Sequence, residues 1–453
     1  MTEREFDVVV IGMGPGGEFV ATKLAGAGVP VAAVEERLVG GECHFWGCIP
    51  SGMMVRAGNL LAEGRRIPGM AGASVISPDW APVARRISET THGWTDAGAA
   101  DRFTGLGGTL FRGRGTLTGP TTVSVGETVL RARRGIVVGT GTAPWIPPLY
   151  GLACTPYWTT REAMEADQVP RSLIVLGGGQ AGVELAQVFA RFGTAVTVIE
   201  AAGRLLAQDE PESSALITKV FRREGITVHT GAPAKSVSHD GRAFTVAVRG
   251  GPQVTGERLL VATGRRADLA SLGVGAIGQD EHASYLEVDE NMRAAPGVWA
   301  LGDVVGKGAY THMALYHGRI ILSQFLGRPY HPAEYRAVPR VTFTDPEIGA
   351  VGLTEAQARE RLGGKVSTAV RWIPDSDRGW IHKAGNDGFI KLVVDGERGV
   401  LVGATSAGPA GGEVLSMLTL AVHAAVPVQR LREMIYAFPT FHGAVPEAIG
   451  RLS

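Results

Sequence analysis

The sequence predicts an α/β chain made of two βαβ units of one design, followed by a smaller α+β domain. Three observations carry this. A short apolar strand that runs into a glycine-rich turn and then a helix occurs twice. Each time the helix returns to a second apolar strand ending in glutamate. From about residue 333 the texture changes to segments that read as antiparallel strands and one amphipathic helix.

The first unit opens with DVVVI (7–11), then Gly12, Gly14 and Gly17 in GMGPGG. The second opens with LIVL (173–176), then Gly177, Gly179 and Gly182 in GGGQAG. The return strands VPVAAVE and AVTVIE end in Glu35 and Glu200, each 23 residues after the first glycine of its turn. One G-x-G-x-x-G is weak evidence; two, each between strand and helix with an acid at the same offset, are strong. The glycines let N–H groups at a helix N-terminus approach a pyrophosphate, and the acid accepts from a ribose 2′-OH. The expectation is two Rossmann-like dinucleotide-binding domains; two glycine-rich turns that bind nothing are the bland alternative.

Further glycine-ended strands follow: GIVVGTGTAPWIPP (135–148), LLVATGRRADL (259–269) and VWALGDVVG (298–306), the last placing Asp303 after Gly302. After them come VPRVTFTDPEIGAVGLTEAQA, FIKLVVD and GVLVGATSAG, then GGEVLSMLTLAVHAAV with the i, i+3, i+4 spacing of an amphipathic helix. The expected division is a first unit at 1–150 and 269–332, a second inserted at 151–268, and a C-terminal domain at 333–453.

Composition narrows the function. With 453 residues, 45% hydrophobic and 19% charged, the chain is ordinary globular material for several domains. Zero formal net charge gives no argument for nucleic acid or an anionic membrane as partner. No apolar run reaches the ~18 residues of a membrane span, and MTEREF has no export signal, so a cytoplasmic location is expected. Three cysteines do not make a secreted disulfide scaffold; in a reducing compartment a close pair reads as catalytic or metal-binding.

That pair is Cys43 and Cys48 in GGECHFWGCIPSGM (40–53), directly after Glu35. If a helix begins near Cys43, the spacing brings the two sulfurs within reach of a bond with modest adjustment. A metal site needs about four ligands, and Cys154 is the only other cysteine, so no metal is expected. A purely structural pair is the remaining alternative.

These motifs resemble the class I pyridine nucleotide-disulfide oxidoreductases, such as lipoamide dehydrogenase, glutathione reductase and mercuric reductase. The resemblance spans the chain: both G-x-G-x-x-G turns, the cysteine segment, Thr140-Gly141, Thr263-Gly264, Gly302-Asp303 and TDPEIGAVGLTE (344–355). It implies an FAD domain, an NAD(P) domain and a C-terminal dimerisation domain, hence a homodimer acting on a small-molecule substrate. It implies that Cys48 is the flavin-proximal sulfur, Cys43 the interchange thiol, Asp303 a ligand of the FAD ribitol and Glu35 of its adenosine ribose. Electron pairs would pass from nicotinamide through flavin to a Cys43–Cys48 disulfide and on to substrate.

Three departures mark an atypical member. Gly52 stands where the family has a lysine beside the flavin, leaving its glutamate partner, Glu184, alone; Arg56 is a possible substitute or a plain surface arginine. The family's C-terminal His-Pro-Thr-x-x-Glu is here Phe438-Pro439-Thr440-Phe441-His442-Gly443, so the acid–base histidine is Phe438 and its orienting acid is Gly443. His442, one residue away, is the substitute candidate, and Phe438–Pro439 a candidate cis bond. Gln180 replaces a tyrosine that gates the nicotinamide pocket, and His44 and Trp46 bring bulk between the cysteines, for substrate or for packing.

The expected function is an FAD-dependent NAD(P)H oxidoreductase that passes electrons to a small disulfide, thiol adduct or related electrophile rather than to glutathione or lipoamide. Glu200 argues for NADH over NADPH, because a carboxylate repels a 2′-phosphate. The alternatives are a quinone or metal-ion reductase, a carboxylating, ketone-cleaving oxidoreductase, or a redox sensor that binds FAD without turnover.

Overall fold

The computed structural model describes residues 2–452. The chain forms two units: Met1–Pro50, Arg85–Trp145 and Gly264–Tyr335 in one, Ser51–Ala84, Ile146–Thr263 and Arg336–Ser453 in the other.

The first unit is built on a sheet whose main path runs Arg293–Ala295, Val298–Ala300, Thr128–Val138, Thr2–Ile11, Val31–Glu35, Thr109–Arg112. All neighbours on this path are parallel except the first pair, which is antiparallel. Val8, Val9, Val10, Ala32, Ala33, Ile136, Val137 and Val138 are all buried, as continuous apolar strands covered on both faces must be. Ile11 pairs with Val138, and Val138 with Ala300. The turns at Gly12, Gly139–Gly141 and Gly302–Asp303 therefore leave the sheet together at its carboxyl edge, where open α/β sheets bind ligands.

The second unit repeats the design in Thr227–His229, Ala195–Ile199, Ser172–Leu176 and Arg258–Val261, all parallel. An antiparallel meander, Ala234–His239, Phe244–Val248 and Gln253–Gly256, covers it, which the sequence reading did not anticipate. The same unit contains an antiparallel sheet ordered Pro339–Thr342, Glu347–Gly352, Val400–Gly408, Phe389–Asp395, Val366–Trp372. The helix Gly411–His423 buries Leu415, Leu418, Ala421 and Val422 in its core. On the strand Phe389–Asp395, Lys391 is buried and meets Glu210 at 3.0 Å, Glu212 at 2.8 Å and Glu355 at 3.0 Å. Among the described residues no helix is long and apolar enough to cross a membrane.

Candidate active site and nucleotide cradles

The two glycine turns are the same device. Glu35 accepts from the N–H of Met13 at 2.7 Å through one carboxylate oxygen and from that of Arg37 at 2.7 Å through the other. Glu200 accepts from Gly178 at 2.5 Å and Ala202 at 2.6 Å in the same pattern. Each acid thus braces its own turn, with further lone pairs left for a ribose hydroxyl. Burial raises the Glu35 pKa against the pull of its two N–H donors.

The glycines divide by what surrounds them. A Cβ on Gly17 would lie 1.9 Å from the Gly12 carbonyl oxygen, and one on Gly182 2.1 Å from that of Gly177. Gly12 (φ +90°) and Gly177 (φ +112°) are left-handed, and a Cβ there would strike the Gly139 and Ala262 carbonyls. These four are demanded by the fold. Gly14 and Gly179 have ordinary φ (−66° and −78°) and nothing within 4 Å of a Cβ. At those two helix N-termini the missing side chain leaves room for a pyrophosphate, so the residues present fit a dinucleotide in each unit.

The cysteines lie on two helices, a correction to the single helix considered from sequence. Cys43 lies in Gly41–Phe45 and Cys48 opens Cys48–Arg66. Trp46 leaves the helical region (φ −132°, ψ 15°), so the chain must rewind before Cys48. Both are free cysteines. The Cys43 thiol donates to Cys48 and, with the Thr311 hydroxyl 3.4 Å from its sulfur and its own backbone amide, draws Cys48 down to about 6, against burial and the Asp303 charge. That hydrogen bond and burial push Cys43 far up. The hydrogen bond thus favours the thiolate on Cys48, the residue at the helix start, and the thiol on Cys43.

Asp303 lies close enough to Cys48 for its charge to oppose thiolate formation, and burial raises its own pKa. The Thr142 hydroxyl meets its carboxylate at 3.2 Å, and Arg265 donates to that hydroxyl at 2.9 Å and to the Thr142 carbonyl at 2.5 Å. Thr142 follows Gly141 and Arg265 follows Gly264, so the two Thr-Gly turns and Gly302-Asp303 supply one polar network. Trp46 stacks on Trp94, ring centroids 6.0 Å apart and 14° from parallel. No motif announced Thr142, Arg265, Thr311 or Trp94, because only tertiary pairing brings them in.

In the second unit, Glu184 is buried and accepts from the Phe343 N–H at 2.8 Å and from Gln180 at 3.4 Å. Gln180 also donates to the Val341 carbonyl at 2.6 Å. Gln187 exchanges two hydrogen bonds with the Asp345 backbone, and Arg191 binds its carboxylate at 2.8 Å. Residues 180, 184, 187 and 191 form one stripe of the helix Gln180–Arg191, holding the 341–345 segment. Gly52 is exposed, with nothing within 4 Å of a Cβ, and Arg56 is exposed.

The Phe438–Pro439 bond is cis, as is Asp345–Pro346, which the sequence reading did not single out. Phe438 and Ile435 are 77% and 96% exposed. His442 is half-buried and lines a hollow of about 530 Å³ with Arg378, Glu413 and Phe441. Among the described residues no group of three or more His, Cys, Asp or Glu could hold a metal ion.

Two nucleotide cradles of one design, with a hydrogen-bonded cysteine pair at the edge of the first, define a dinucleotide-linked redox enzyme of the flavoprotein class. The chain belongs to the pyridine nucleotide-disulphide oxidoreductase family: that family's model matches residues 6–318, and its dimerisation domain residues 338–449. Members of the family use FAD and NAD(P)H. The chain is 32% identical to a mercuric reductase of Streptomyces lividans, covering 97% of this chain and 94% of that one. It is also 32% identical to a dihydrolipoyl dehydrogenase of Chlorobaculum tepidum, covering 98% and 96%. The Cu(II) complex of the HOCl-induced flavoprotein disulfide reductase RclA from Escherichia coli superposes with a TM-score of 0.87 at 25% identity over 99% of each chain.

Proposed function

We propose that this chain uses NADH to reduce a small disulfide or thiol adduct through a redox cycle of Cys43 and Cys48. The observation that carries the reading is the hydrogen-bonded Cys43–Cys48 pair with the Thr311 hydroxyl 3.4 Å from the Cys48 sulfur, an arrangement that favours a thiolate on Cys48. When bound, FAD supplies the relay of an electron pair between nicotinamide and the two sulfurs. The residues of the chain do the rest. Cys43 attacks a substrate sulfur, the substrate S–S bond breaks, and the Cys43 proton ends on the first sulfur released, which leaves as a thiol. Cys48 then attacks Cys43 in the mixed disulfide, closing the Cys43–Cys48 bond and releasing the second. Thr311 and the helix start hold Cys48 ionised for that step.

In this reading residues 1–150 and 269–332 hold FAD, 151–268 hold NADH, and 333–453 join two chains into a homodimer in the cytoplasm. The exposed Met434, Ile435 and Phe438 are apolar surface suited to burial against a second copy. His442 is the candidate proton donor in place of Phe438.

A second reading is favoured by the same departure. Phe438 and Gly443 leave the C-terminal segment without the acid–base pair that protonates a leaving thiol. Reducing a thiolate-bound soft metal ion needs no such proton, and relatives of this chain are named mercuric reductases. Anaerobic NADH titration followed by acceptor assays separates the readings. Uptake of two electron pairs per flavin, with turnover on disulfides, supports the first. Turnover with Hg(II) or Cu(II) alone supports the second. One pair per flavin removes the cysteines from both.

A further inference from the structure

We propose that His317 is a positioning residue for the flavin pocket, joined with Tyr335 in a hydrogen-bond strut that sets the Gly302–Asp303 turn. This rests on the reading that Asp303 faces FAD. The ring is fully buried on the helix Thr311–Phe325. Its Nδ1 accepts from the Gly302 N–H at 3.2 Å, and its Nε2 lies 3.2 Å from the Tyr335 hydroxyl. A backbone N–H can only donate, so Nδ1 is bare and the ring proton sits on Nε2, donating to Tyr335. Tyr335 then spends its own proton on the sulfur of Met292, 3.6 Å away. Every bond in the series points the same way, from Gly302 to Met292.

Both ends are left-handed turns, Gly302 at φ +73° and Met292 at φ +65°. Between them lies the strand Val298–Ala300, and the Ala300 N–H returns to the Met292 carbonyl at 3.0 Å. For a residue with a side chain this conformation persists only where its surroundings fix it. The strut spans the two ends of the segment that delivers Asp303. Its helix also carries Thr311, the residue on Cys48, so His317 fixes the Asp303 turn and the Thr311 helix against each other. Burial, with the Lys307 charge, holds the ring neutral down to about pH 4, so the Nδ1 acceptor persists at any working pH.

The test uses the flavin-loaded protein and follows FAD release by fluorescence at one sub-denaturing guanidinium concentration, beside the melting temperature of the apoprotein. His317→Leu should release FAD about tenfold faster, the order expected for one orphaned buried N–H. His317→Asn, which offers an amide oxygen near the Nδ1 position, should recover most of that loss. Release from His317→Leu at the parent rate overturns the proposal. So does equal acceleration in both variants, which would assign the ring to volume alone. If His317→Leu does not fold, Tyr335→Phe decides: about threefold faster release is expected, and an unchanged rate overturns the strut. A parent protein that never carries flavin overturns the cofactor reading as well, which separates the two failures.

Discussion

The Thr311 hydroxyl lies 3.4 Å from the sulfur of Cys48, at the point where two helices begin. This contact and the Cys43 thiol are what hold Cys48 ionised above about pH 6. The long-wavelength absorbance of a reduced cysteine pair beside flavin should therefore titrate with a midpoint near 6. Cys43→Ala removes the largest pull, so the band should persist with its midpoint moved upward by at least one unit. Thr311→Val should move it the same way by less. A midpoint unmoved in both variants would assign the low value to the helix start alone.

Glu200 presents a carboxylate whose two oxygens already bind Gly178 and Ala202. A 2′-phosphate arriving there meets like charge. Steady-state kcat/KM should favour NADH over NADPH by ~10-fold or more, an order set by one carboxylate–phosphate repulsion. Glu200→Gln keeps an acceptor and removes the charge, so the NADPH/NADH ratio should rise about tenfold. A parent enzyme that prefers NADPH would defeat the assignment.

Gly52 can accept a side chain without collision. Gly52→Lys replaces a helix-interior glycine and should stabilise the protein by ~0.5 kcal/mol, read as a small rise in Tm. It also introduces a cation at the position where the family carries one. Stopped-flow flavin reduction by NADH should change in rate. Unaltered flavin reduction in a folded variant would show that Glu184, held by Phe343 and Gln180, no longer responds to a cation there.

Lys391 and Glu210 are both buried, at 3% and 4% side-chain exposure. Lys391→Met leaves Glu210 without its cation, and denaturant unfolding should show a loss of ~3 kcal/mol or more. Glu355 sits below the ordinary carboxylate range because of the Lys391 hydrogen bond and then Arg359. Its contribution is complete above an unfolded pKa of ~4.3 and lost as pH falls through the lower folded value. The parent should therefore lose stability below pH ~4 more steeply than Lys391→Met. Parallel stability curves for the two proteins would rule out this coupling.

How much of this was legible in the sequence depended on whether neighbours in sequence were neighbours in space. The turns at Gly12 and Gly177, their acids and the cysteine pair are local patterns, and the strands and helices around them could be read directly. Thr311 and His317 could not. They touch Cys48 and Gly302 because the helix Thr311–Phe325 docks in one particular rotation, and no spacing records that rotation. The break at Trp46 was invisible for a related reason: nothing in CHFWGC forbids a continuous helix except the packing of the surrounding turn. The meander over 234–256 was missed because its short strands carry few alternating positions.

Gly14 and Gly179 are positions where the folded chain has no use for glycine. Alanine at Gly12, Gly17, Gly177 or Gly182 should abolish folding, and so would report nothing about ligands. Alanine at Gly14 or Gly179 should leave a protein of native stability that has lost one nucleotide and kept the other. The chain thus contains its own pair of separable switches. One yields an apoflavoprotein still able to bind NADH, the other a flavoprotein that NADH cannot reduce. The two half-reactions could then be assigned to the two cradles in intact, full-length protein.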